Sequence, residues 1–128
     1  MHTLFKQFLT SKNIDFKNDV EEQITFQLGG FNYLFICEKS DVNYFRIILP
    51  NVFQIVAERE KYEKLINEIN HKFKVAKTYI TGNDMIWIAA EQFVYSNENI
   101  DFLFERCVVL LRLITEQFRN DIKAISND

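Results

Sequence analysis

The chain has 128 residues, 48% of them hydrophobic and 26% charged, which fits one globular domain over residues 1–128 with a real core and excludes a disordered chain. Its 15 Lys and Arg stand against 18 Asp and Glu, a formal net charge of -3, so neither nucleic acid nor an anionic membrane surface is expected as a partner. No run approaches the ~18 apolar residues of a membrane span, and the start Met1-His2-Thr3-Leu4-Phe5-Lys6-Gln7 lacks the basic and long apolar regions of a secretory signal, so a cytoplasmic location is expected.

Thr3 is a candidate cap for a first helix, with Leu4, Phe5, Phe8 and Leu9 on one side and an end near Asn13. Gln23 to Leu28 alternates strictly and reads as a half-buried strand. Gly29-Gly30 leads into the apolar run Phe31 to Cys37, and if the two glycines form a two-residue turn, Leu28 lies against Phe31, Phe26 against Tyr33 and Ile24 against Phe35 on one face. After the turn-rich break Lys39 to Asn43, Tyr44 to Leu49 reads as a third strand, extended to about Ile55, with Pro50 near an edge or bulge. Either Phe45, Ile47 and Leu49 or Tyr44, Arg46 and Ile48 face inward, because a one-residue change in that turn exchanges the two sets.

Between Ala57 and Phe73 the spacing of Tyr62, Leu65, Ile66, Ile69 and Phe73 predicts a second helix. Val75 to Ile80 and Met85 to Tyr95 read as a hairpin around Thr81-Gly82-Asn83-Asp84. Ser96-Asn97-Glu98-Asn99 supplies candidate caps for a last helix, Ile100 to Ile125, whose Phe104, Cys107, Leu111, Ile114 and Phe118 recur at three- and four-residue steps. The expected fold is α+β: a five-stranded antiparallel sheet with three helices largely on one face, in the order α-β-β-β-α-β-β-α.

This order of elements, the stretch Leu65-Ile66-Asn67-Glu68-Ile69-Asn70, the hairpin from Lys74 to Phe93 and the long amphipathic helix from Ile100 resemble the YbjN-type bacterial sensory-transduction regulators, whose fold is shared by type III secretion chaperones. The resemblance implies a small, often dimeric protein without chemistry of its own. In the secretion chaperones such proteins hold client polypeptides, and in the other branch the role is regulatory.

The residues themselves offer little chemistry. His2 and His71 are too few and too far apart for a metal-ligand set, and no glycine-rich phosphate motif occurs, so no metal or other cofactor is expected. Cys37 and Cys107 have apolar neighbours and read as reduced, buried thiols, and Glu21-Glu22 point apart on a strand, a poor acid/base pair. A non-enzymatic protein-binding module is therefore expected, chaperone-like or regulatory, forming a homodimer and holding a protein partner or client peptide.

Aromatic residues reach 15%, and both parities of the last hairpin are apolar: Ala76, Ile80, Met85, Trp87 and Ala89 on one assignment, Val75, Tyr79, Ile86, Ile88 and Ala90 on the other. A sheet covered on one side leaves one of these sets in water, which commonly marks a protein contact, whether self-association or a client strand added to a sheet edge. Tyr33, Tyr44, Tyr79 and Trp87 are the candidate contact residues. The competing reading is a small-molecule-binding domain with a pocket between the sheet and the last helix, served by Tyr33, Arg46 and Glu91.

Overall fold

A computed structural model describes residues 1–20, 23–96 and 99–126. Helix α1 (His2–Ser11) is followed by strands β1 (Phe16–Val20), β2 (Gln23–Leu28), β3 (Phe31–Glu38) and β4 (Asp41–Gln54). Helix α2 (Arg59–Lys72), the hairpin β5 (Ala76–Ile80) and β6 (Met85–Phe93), and helix α3 (Ile100–Ser126) complete the chain. The fold is α+β, as expected, and every strand pair in the sheet is antiparallel.

The sheet has six strands in the order β1-β2-β3-β4-β6-β5, where five were expected. The additional strand is β1, Phe-Lys-Asn-Asp-Val, which has no clean alternation of apolar and polar residues. It is recruited by the free edge of β2, where Phe16 lies opposite Phe26 and Lys17 opposite Thr25, and the Gln27 N–H donates to the Asp15 carbonyl. An edge strand of this kind is selected by unpaired backbone groups more than by its own side chains.

Helix α1 begins two residues earlier than a Thr3 cap would allow: Met1 is the N-cap, it makes no side-chain cap hydrogen bond, and the Phe5 N–H already reaches the Met1 carbonyl. It ends as Asn13 takes a positive φ of 56° and the Ile14 N–H returns to the Leu9 carbonyl, a left-handed helix stop to which Asn is suited. The expected carboxylate pair Glu21-Glu22 and the candidate caps Asn97 and Glu98 lie outside the described residues.

Gly29 and Gly30 both have positive φ, 60° and 82°, which a two-residue hairpin turn requires. The resulting β2–β3 register pairs Leu28 with Phe31, Phe26 with Tyr33 and Ile24 with Phe35, as expected. Pairing of Phe35 with Ile47 then settles the parity of β4: Phe45, Ile47 and Leu49 enter the core. Pro50, which has no N–H to offer, sits where the β4–β6 register shifts between Leu49 and Phe53. In the last hairpin Ile80 pairs with Ile86, so Ile86, Ile88 and Ala90 face the core while Trp87 and Ala89 point away with Tyr79. The actual faces therefore cut across both expected sets, since the link was longer than a two-residue turn.

All three helices pack on the core side. Phe104 of α3 is fully buried, with ring centroids 4.9 Å from Phe5, 5.1 Å from Phe45 and 5.8 Å from Phe35, while Phe5 stacks on Phe35 at 4.0 Å. Tyr62 of α2 stacks on Phe53 at 5.2 Å. At the far edge of the sheet, the Asn70 side-chain amide donates to the Thr78 carbonyl (2.9 Å) and its oxygen accepts from the Thr78 N–H (2.7 Å). One side chain thus occupies both backbone groups of an edge-strand residue. Among the described residues no helix is long and apolar enough to cross a membrane.

Phe104→Ala should cost about 3–5 kcal/mol, because the ring's partners on α1, β3 and β4 cannot all close on the void. Calorimetry should show a melting temperature lower by roughly 10–20 °C. Asn70→Ala should cost about 1–2 kcal/mol through two lost hydrogen bonds, read from the urea midpoint at unchanged m-value.

Candidate functional site: the open face of the sheet

Because the helices lie on one side, the outward residues of β3, β4, β6 and β5 form a surface of their own. Ile48 is 2% exposed and Ala89 1%, yet neither belongs to the main core; they are cross-strand partners at the centre of the open face. Leu34 pairs with Ile48 on one side and Lys77 with Ala89 on the other. Tyr79 and Trp87, also a cross-strand pair, have ring centroids 6.1 Å apart, and the Trp87 indole N–H donates to Asn51 Oδ1 at 3.0 Å. Toward the other end Tyr44 pairs with Phe93 at 5.7 Å, and Phe93 stacks on Tyr95 at 6.3 Å. Phe93 is 56% and Tyr95 84% exposed, an unusual degree for such rings.

A polar line crosses this apolar surface from strand to strand. Arg46 lies opposite Glu91, Lys77 Nζ is 2.7 Å from Glu91 Oε1, and the Tyr44 hydroxyl donates to the Glu91 carboxylate. Arg46 Nη2 is 4.0 Å from Glu38, and its Nε is buried without a hydrogen-bond partner among the described residues. Partial burial and the neighbouring Glu91 carboxylate push the Tyr44 hydroxyl up to about 12, so it is a neutral donor at physiological pH. Partial burial alone would raise Glu91. The hydrogen bonds from Lys77 and Tyr44 and the charges of Lys77 and Arg46 outweigh it and hold the carboxyl below its ordinary value.

Of the four candidate contact residues, Tyr44, Tyr79 and Trp87 share this face. Tyr33 does not: it is 1% exposed on the helix-covered side, stacked on Phe26 at 5.2 Å. The correction follows from the glycine turn, which places Tyr33 opposite core-facing Phe26. For the same reason Tyr33, Arg46 and Glu91 do not come together to line one small-molecule pocket. Tyr33 is separated by the sheet from Arg46 and Glu91, and beside it is only a recess of about 180 Å³ next to Arg112 and Thr115 of α3. Around Phe104 the space between α3 and the sheet is filled by phenylalanine rings.

Strand addition at the β5 edge is obstructed by Asn70, which already holds the Thr78 backbone groups. Cys107 is 4% exposed, and burial pushes its thiol up to about 11, far from an activated nucleophile. Among the described residues no cluster of three or more His, Cys, Asp or Glu could hold a metal ion. Sequence reasoning missed the Lys77–Glu91–Tyr44 network, whose members become neighbours only through the β4–β6–β5 strand order.

No family model and no curated protein matches this sequence. Among solved structures the chain is similar to the crystal structure of YbjN from E. coli, a candidate transcription regulator, with a TM-score of 0.67 and 8% identity over 94% of this chain and 93% of that one. The fold is of the YbjN type, as the resemblance implied.

Glu91 titrates lower in the folded chain than in the unfolded one. Its ionised form therefore contributes stability above the ordinary value of 4.5, and that contribution is lost as pH falls through the lower folded value. Glu91→Gln should cost ~0.5 kcal/mol at neutral pH, the scale of a partly exposed ion pair. Urea unfolding across the acid range should show a shallower loss of stability below the ordinary carboxyl value than in the parent.

Proposed function

We propose that this protein is a non-enzymatic binding module, regulatory or chaperone-like, that docks a protein partner on the open face of its sheet. The observation that carries the reading is the helix-free face of the sheet, where Tyr44, Tyr79, Trp87 and Phe93 stand around the solvent-shielded pair Ile48 and Ala89. Aromatic residues of this kind provide large contact area at low cost in side-chain entropy and are enriched at the centres of protein interfaces.

The polar line adds selectivity. Glu91 is already served by Lys77 and Tyr44, whereas Arg46 keeps a buried Nε without a partner among the described residues and only a 4.0 Å approach to Glu38. A partner that supplies a carboxylate or carbonyl oxygen to the accessible end of the Arg46 guanidinium, with apolar side chains on either side, would pair that charge. An extended segment lying across the face meets these demands without displacing Asn70 from the β5 edge. The E. coli structural neighbour, a candidate transcription regulator, is compatible with a regulatory setting. A second copy of the chain could occupy the same surface, which would make the protein a homodimer.

The test starts with the tagged protein recovered from its native host, any stoichiometric companion then being purified and titrated back. Trp87→Ala and Tyr79→Ala should each weaken that association about 30-fold or more, the effect of an interface hot spot, with circular dichroism unchanged. Leu113→Ala, on the outer side of α3, should have no effect. For a homodimer, light scattering should show the same two substitutions shifting the mass toward monomer. Full association by both folded variants would refute the open face as the binding surface.

A further inference from the structure

On the other side of the molecule, a groove of about 510 Å³ runs between the end of α2, the start of β5 and the first half of α3. Its floor is apolar: Phe73, Leu103, Cys107 and Leu110, with Val75 and Phe102 as the walls. Phe102 is 58% and Val75 56% exposed, large values for apolar side chains at the rim of a recess. The charged residues of the lining are all cations, Lys72, Lys74 and Arg106, in a chain whose net charge is -3. Among the described residues none of the three forms an ion pair with a carboxylate. Lys72 Nζ donates to Gln117 Oε1 at 3.0 Å and stands 5.5 Å from the centre of the Phe73 ring, while the Arg106 guanidinium lies 5.7 Å from that of Phe102.

The wall at Val75 is held under strain. Its φ is +68°, in the left-handed region that a β-branched side chain avoids, although no turn glycine replaces it. Such strain costs of order 1–3 kcal/mol and is concentrated at ligand clamps and other functional positions. Here the strained residue joins α2 to the edge strand and forms one lip of the groove.

We infer that this groove binds a small organic acid with an apolar body, its carboxylate held at the Lys74 and Arg106 end, away from Lys72 and its Gln117 partner, and its chain or ring on the Leu103–Cys107–Leu110 floor. Cys107 is a neutral thiol in this setting, so the floor opposes no apolar ligand with charge. The volume falls within the ~300–1,000 Å³ of small-molecule sites. A peptide fits less well, since its backbone needs hydrogen-bond partners. Gln92, the one neutral amide in the lining, has its N–H turned to the Phe93 carbonyl at 3.1 Å. The site is separate from the open sheet face and does not depend on a protein partner binding there.

The test uses the intact protein and two probes of equal tail length, decanoate and decyltrimethylammonium, both below their micelle concentrations, followed by calorimetry and backbone amide shifts. Decanoate should bind at one site and shift amides of residues 73–75 and 102–110, with affinity falling as salt screens the cations. Lys74→Glu and Arg106→Glu, both exposed positions, should each weaken decanoate tenfold or more while melting temperature stays within a few degrees. The cationic probe should bind at least tenfold more weakly than decanoate. Equal binding of the two probes, shifts elsewhere, or undiminished affinity in both variants would overturn the inference. So would an acidic, leucine-containing peptide that binds this groove where decanoate does not.

Discussion

The packing of Phe104 against Phe5, Phe35 and Phe45 is the interaction on which the rest of the structure depends. These rings come from α3, α1, β3 and β4, so a single buried cluster fastens the first and last helices to the middle of the sheet. Aromatic rings bury large areas and prefer edge-to-face or offset arrangements, and both occur here: Phe104 stands at 88° to Phe5, while Phe5 lies at 6° to Phe35. With α1 and α3 secured to the same side and α2 held there by Tyr62 and Asn70, every helix is committed to one face.

The other face is what that commitment leaves behind. A six-stranded antiparallel sheet can present a solvated side if its outward residues are polar, and this sheet meets that condition only in part. Gln23, Thr25 and Asn32 lie toward the β1 end, but the β4–β6–β5 half carries Ile48, Ala89, Trp87, Tyr79 and Tyr44. Charged groups are set among them in cross-strand pairs, so the surface is amphipathic rather than greasy. Its charged groups are largely served by one another, Glu91 by Lys77 and Tyr44.

The two surfaces differ in chemistry. On the sheet, Glu91 is matched by Lys77 and Tyr44, and the charges are balanced across strands. In the groove beside α3, cations of one sign surround an apolar floor and have no carboxylate among the described residues to answer them. The first arrangement is aromatic and internally paired, the second cationic at its rim and apolar on its floor. The Asn70 bonds to Thr78 occupy backbone groups that the β5 edge would otherwise leave open.

Much of this fold was legible in local pattern. Gly29-Gly30 suits a two-residue turn and its flanks alternate cleanly, so the β2–β3 register could be read from the sequence, and the helical spacing of Tyr62 to Ile69 and of Phe104 to Phe118 reflected faces that are indeed buried. What local pattern could not supply was anything that required knowing a distant neighbour. Strand β1 forms because β2 has an unpaired edge, not because its own residues alternate. The inward set of β4 depended on pairing with Phe35 across a turn of ambiguous length, and the faces of β5 and β6 depended on Ile80 meeting Ile86. Three of the four candidate contact residues lie on the open face because outward parity in paired strands is shared, and Tyr33 lies in the core because its register with Phe26 is equally strict. The sequence by itself determined which segments fold and that more apolar strand surface exists than one core can use. Only the tertiary structure decided which side the helices cover, and with it which aromatics meet solvent, because side-chain facing in a sheet has a period of two and one residue of loop length reverses it.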